Sequence, residues 1–130
     1  MKFGPSVLIT LLLACSSAGA MAAWVETGNK DDDLVKEFWD PATIQKKDGH
    51  VWVYRLRNYR VAQTMDDVKF LSMKTLQEFD CRASKFRLTA SLYDGAMGGG
   101  TAVYTAPAAG NWEAPAAGTI NAVMMGILCK

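Results

Sequence analysis

The chain has 130 residues, half of them apolar, with fourteen Lys and Arg against thirteen Asp and Glu, three cysteines and one histidine. That length provides for one domain with a modest core and leaves no room for a second. A near-neutral balance argues against nucleic acid as a partner, because neutralising phosphates calls for a basic excess or a dense basic cluster.

The first 22 residues have the three-part layout of a secretory signal: Lys2, an apolar block from Val7 to Ala14, then small residues at Ala18-Gly19-Ala20 and Ala20-Met21-Ala22. The block is too short to span a bilayer as a helix. A competing reading takes Leu12-Leu13-Ala14-Cys15 as a lipobox, which ends the signal at residue 14 and makes Cys15 the lipidated first residue. Either route predicts a protein exported to the periplasm, outer membrane or surface of a bacterium, with a domain over residues 23–130. Once Cys15 is removed or capped, Cys81 and Cys129 remain as an even pair in an oxidising compartment, where a disulfide is the expected state. Two unrelated buried thiols are the alternative.

In chain order, Ala23 to Thr27 reads as a short first strand and Gly28 to Asp33 as a polar loop. The Asp31-Asp32-Asp33 run lacks the spaced ligands, central Gly and distal Glu of an EF-hand, so it predicts solvated charge and no metal. Leu34 to Trp39 continues as strand until Asp40-Pro41, where Pro forbids a continuing ladder. Asp48-Gly49 supplies the positive backbone angles of a tight hairpin between Ile44–Lys46 and His50–Leu56. In the return strand Trp52, Tyr54 and Leu56 share one face and Val51, Val53, Arg55 and Arg57 the other; the aromatic face is the one expected to be buried.

The pattern lapses between Tyr59 and Asp67, with a loop tip at Thr64 to Asp67, and resumes from Val68. There Leu71, Met73, Phe79 and Cys81 share a side that Thr75 and Gln77 interrupt, which predicts a bend or bulge. Lys85 to Tyr93 alternates with Phe86, Leu88, Ala90 and Leu92 inward. Asp94-Gly95 turns the chain into the glycine-rich loop at Met97 to Gly100, Thr101 to Thr105 returns, and Trp112 to Ala114 forms a last short strand before Pro115. The period then changes: Ile120, Val123, Met124, Ile127 and Leu128 form a helical stripe, with Thr119 as N-cap. The expected fold is therefore α+β, an antiparallel sheet of about six strands with a C-terminal helix packed on one face and linked to it by a disulfide.

Chemistry is sparse. No motif frames a serine as a nucleophile, and the single His50 reads as a surface or hairpin residue, so no catalytic residue is assigned; a hydrolase stays as a distant third reading. With the cysteines paired no soft ligand set is left for zinc, and no cofactor is implied. Arg55, Arg57 and Arg60 form one basic group and Arg82, Lys85 and Arg87 another, readable as a solvated face or as a surface for an acidic partner. Four tryptophans, Trp24, Trp39, Trp52 and Trp112, are more than so small a domain can bury fully, and one exposed beside Arg55 or Arg57 would suit a protein-binding patch.

Trp24, Asp40-Pro41-Ala42-Thr43-Ile44, Val51-Trp52 leading to Tyr59, Ser72-Met73-Lys74, Phe79-Asp80-Cys81, and Trp112 with Pro115-Ala116-Ala117-Gly118-Thr119 before Cys129 together resemble the surface-adhesin protein E family of small exported bacterial domains. The resemblance implies a sheet with a disulfide-joined helix and a non-enzymatic role in attaching bacteria to host matrix proteins such as laminin or vitronectin. It implies adhesion through basic surface, for which Lys46, Lys47, Arg55 and Arg57 are the candidates, with a lipid anchor only through Cys15. The alternative is a periplasmic structural or inhibitor module that binds another envelope protein. An open sheet edge also leaves room for a homodimer.

Overall fold

The computed structural model describes residues 23–27 and 33–130. The signal segment, Cys15 and residues 28–32 of the polar loop lie outside the described residues. Six strands, β1 (Val25–Glu26), β2 (Val35–Lys47), β3 (His50–Met65), β4 (Val68–Asp80), β5 (Lys85–Tyr93) and β6 (Ala102–Thr105), pair antiparallel in sequence order, and one helix, α1 (Ile120–Leu128), closes the chain. This is the sheet-and-helix architecture the sequence predicts.

Two-residue turns build the central meander. Asp48 (φ 52°) and Gly49 (φ 79°) turn β2 into β3, and Asp66 (φ 48°) and Asp67 (φ 63°) turn β3 into β4. Positive φ at both turn positions matches the twist of the flanking strands. The loop expected from Thr64 to Asp67 is thus only a turn, and the strands run on to Met65 and from Val68, although the ladder shifts register between Asn58 and Gln63.

Asp40-Pro41 does not end its strand. It interrupts the ladder: between the Asp40↔Tyr54 and Gln45↔Trp52 pairs, four residues of β2 face one of β3. Side chains tie this bulge down. Asp40 Oδ1 accepts from Ala42 N at 3.1 Å, Thr43 Oγ1 donates to Asp40 O at 2.6 Å, and the same hydroxyl accepts from Tyr54 N at 3.0 Å. The extra residues reverse the alternation, so Trp39 and Ile44 both pack towards the core despite their odd and even positions.

The core lies between the sheet and α1. Val51 and Val53 of β3, Phe79 of β4 and Phe86 of β5 meet Met124 and Leu128 of the helix, with Trp39, Leu88, Ile120 and Met125 around them. This corrects two expectations. On β3 the helix covers the Val51, Val53 and Arg55 face, while Trp52 and Tyr54 lie half-buried on the opposite one; Leu56 alone of that set is fully buried. On α1 the inward stripe is Ile120, Asn121, Met124, Met125 and Leu128, and Val123 and Ile127 are each 52% exposed.

Nor is there a bulge at Thr75 and Gln77. The β4 register is continuous from Ser72 to Asp80 on both flanks, and both polar residues are buried in it. Gln77 is accommodated because Arg55 Nη1 donates to its Oε1 at 3.0 Å and its own Nε2 donates to Asn121 Oδ1 at 2.9 Å. The expected strand at Trp112 to Ala114 shrinks to one bridge, Glu113 with Phe86.

Thr119 caps α1, its hydroxyl accepting from Ala122 N at 3.3 Å. Cys81 and Cys129 are joined in a disulfide with a Cα–Cα separation of 5.5 Å, closing 48 residues of chain. Removing that closure entropy from the unfolded chain contributes roughly 4 kcal/mol, a large share of a small domain's stability.

Candidate functional site

The four basic candidates divide sharply by environment. Arg55 is buried under the helix, only 9% exposed, with Nη1 on Gln77 and Asn121 and Nη2 4.0 Å from Glu37 Oε2. Its Nε is buried without a partner. Burial pulls the Arg55 guanidinium below its usual range, neighbouring Glu37 works in the opposite direction, and Arg57 adds to the lowering. Arg57 is half-exposed but closes a 2.9 Å pair with Glu37, its cross-strand neighbour. Its guanidinium also lies 5.9 Å from the centre of the Tyr59 ring.

Lys46 and Lys47 are different. They end β2 beside the Asp48-Gly49 turn, both are exposed, and among the described residues neither has an ion-pair partner. Of the candidates named from sequence, these two carry charge that the described residues do not pair.

They border an open groove of about 790 Å³ on the sheet face that α1 leaves bare. Trp52 and Tyr54 of β3 and Leu76 of β4 supply its rings and apolar surface, and Thr43 and Gln45 from the bulged half of β2 line it with the two lysines. Lys74, across from Leu56 on β4, holds its ammonium 4.3 Å from the centre of the Tyr54 ring. Periodicity on β3 revealed the ring pair in the sequence; the groove needs the β2 bulge and Leu76, which no local pattern reports.

Both ends of this face are occupied by the chain. At one end a single 3-10 turn, Ala96–Gly98, sits against it: Gly98 N donates to Ser72 Oγ at 2.8 Å, Ser72 Oγ donates to Gly95 O at 2.7 Å, and Met97 N donates to Asn58 Oδ1 at 2.7 Å. At the other end is a polar and aromatic cluster. His50 Nδ1 lies 2.7 Å from Glu78 Oε2, Arg87 Nε donates to Glu78 Oε1 at 2.8 Å, and the Arg87 guanidinium stacks 4.3 Å from the Trp112 ring centre. The His50 ring stacks on Trp52 at 5.7 Å and meets the edge of Trp112 at 6.0 Å. His50 therefore belongs to a polar cluster on the sheet face, where its side-chain nitrogens lie beside carboxylates, Glu78 and, at 3.9 Å, Asp80.

Among the described residues no cluster of His, Cys, Asp and Glu is arranged to hold a metal ion, and no helix is long and apolar enough to cross a membrane. The disulfide lies at the turn end of the same hairpin: Cys81 N donates to Gly49 O at 3.0 Å, and Cys81, Cys129 and Lys130 share a second hollow of about 330 Å³ with Lys46 and Lys47.

No curated protein and no solved structure matches the sequence significantly. The family model described as surface-adhesin protein E matches residues 24–130, which is nearly the whole of the described domain, and the chain belongs to that family.

Proposed function

We propose that the protein is an exported, non-enzymatic adhesin domain that attaches to acidic faces of matrix proteins, laminin and vitronectin among them, through its β2–β3 hairpin. The observation that carries this reading is the state of Lys46 and Lys47, exposed and without an ion-pair partner among the described residues, whereas Arg55 and Arg57 are committed to Glu37. An exposed cation cluster without partners raises the local concentration of acidic surface and orients its approach. Membership of a surface-adhesin family supports the same role.

The test is binding of the purified oxidised protein to immobilised laminin and vitronectin at low and raised salt, with and without Lys46→Glu and Lys47→Glu. Binding that weakens with salt and is lost in the double variant is expected. Binding that ignores both changes overturns the role given to the hairpin. Palmitate labelling that disappears in Cys15→Ser, with protease-accessible protein on intact cells, distinguishes surface display from a periplasmic module serving another envelope protein.

A further inference from the structure

We infer that the groove between the β2 bulge and β4 is a binding site for a linear acidic polysaccharide, one bearing carboxylates or sulfates along its length. This rests on the basic hairpin being the binding edge and extends it from a patch of charge to a shaped site.

Three properties of the groove coincide. First, Trp52 and Tyr54 stand at alternate positions of β3, so their rings line one face about two residues of strand apart, roughly 7 Å. A sugar ring is amphipathic: its C–H face packs against aromatic surface while its hydroxyls project sideways, and with His50 stacked on Trp52 and Lys74 over Tyr54, the ring surface that remains can serve neighbouring sugars of one chain. Second, the polar side chains beside the rings are an amide and a hydroxyl. Thr43 Oγ1 is already committed to Asp40 O and Tyr54 N, which leaves the exposed Gln45 amide to exchange hydrogen bonds with ring hydroxyls. Third, cations frame the site without anions of their own: Lys46 and Lys47 line it, Lys74 stands over Tyr54, and none of the three has an ion-pair partner among the described residues.

Charge complementarity thus selects an anion, the ring pair selects a ligand with flat apolar faces, and the open shape admits a short stretch of a chain laid on the face between the 3-10 turn and the His50 cluster. A volume of about 790 Å³ is in the range of sites that take several-ring ligands. An acidic protein surface satisfies the lysines alone and leaves the aromatic surface unused, which separates this ligand from the one proposed above.

The experiment titrates the oxidised protein with three probes, a heparin hexasaccharide (sulfated), an oligoguluronate hexamer (carboxylate only) and cellohexaose (neutral), read by intrinsic tryptophan fluorescence and calorimetry. Both acidic probes are expected to bind and the neutral one to bind at least about tenfold more weakly, because screened Coulomb attraction contributes only to the former. Binding of heparin alone assigns the site to sulfated chains; binding of both assigns it to anionic glycans generally. Loss of one stacked ring is expected to weaken binding about tenfold in Tyr54→Ala and in Trp52→Ala. Lys74→Gln is expected to weaken it about threefold without disturbing the fold, so the test survives if Trp52→Ala does not fold. Val123→Ala, exposed on α1 on the other side of the sheet, leaves affinity unchanged.

The inference is overturned if neither acidic probe binds, if cellohexaose binds equally, or if Tyr54→Ala and Lys74→Gln bind as the parent does. Matrix-protein binding in the same variants keeps the two readings apart. It should survive Tyr54→Ala and fail in Lys46→Glu, Lys47→Glu, so loss of either activity alone identifies which reading has failed.

Discussion

The Arg55 guanidinium donates to Asn121 Oδ1 over 2.7 Å, fastening the middle of β3 to the first turn of α1 across 66 residues of sequence. The same oxygen accepts from Gln77, so one helix residue satisfies two buried polar groups of the sheet. Truncating either side strips a buried polar atom of its partner, Gln77 Oε1 when Arg55 goes and Gln77 Nε2 when Asn121 goes, which costs more than the bond itself contributes. Arg55→Ala is expected to destabilise the protein by about 3 kcal/mol and Asn121→Ala by about 2 kcal/mol. Urea denaturation of the two single variants and the double variant tests this, and the double should cost less than the sum because the groups share partners.

The disulfide makes a separate prediction. Cys129→Ser is expected to lower stability by about 4 kcal/mol, and the helical part of the circular dichroism should fall earlier in denaturant than the β part. Nine residues make a helix that is marginal by itself, so α1 depends on its tether and on burial of Met124 and Leu128. Equal effects on both signals would show that docking alone holds the helix.

Two glycines should respond oppositely. A Cβ at Gly95 would lie 2.7 Å from both the carbonyl carbon and the oxygen of Gly99, backbone that cannot step aside, so Gly95→Ala is expected to cost about 2 kcal/mol. Gly126 is exposed within α1 with nothing within 4 Å, and Gly126→Ala is expected to raise stability by about 1 kcal/mol. Thermal midpoints of the two variants decide the signs.

Arg57 supplies the contrast with the hairpin lysines. Its pair with Glu37 is partly open to solvent on the arginine side, 45% exposed, so Arg57→Ala is expected to cost no more than about 1 kcal/mol. Because its charge is already answered within the sheet, matrix-protein binding should change far less than in Lys46→Glu, Lys47→Glu. Side-by-side binding curves at low salt provide the check.

What the sequence disclosed and withheld follows physical lines. The Asp48-Gly49 turn and the Thr119 cap were legible because each rests on a few adjacent residues whose backbone angles or hydrogen bonds are local. Which face of β3 the helix covers was not legible. Alternation separates Trp52 and Tyr54 from Val51 and Val53, but both sets are apolar, and the choice is made by a helix some 70 residues later in the chain. The misassigned stripe of α1 has the same root: an apolar stripe omits Asn121 because it is polar, yet it faces in to meet Arg55 and Gln77, the latter itself a polar residue that reads as an interruption of β4. Of the candidate site, the Lys46-Lys47 pair stood out as local charge, while the adjoining groove exists only once a bulge and a third strand are assembled.

Met124 and Leu128, which complete the packing against Phe79 and Phe86, belong to α1, which follows every strand of the sheet in the chain. The sheet alone therefore leaves its interior unsealed, and removal of α1 with Cys129 forfeits the plug as well as the clasp.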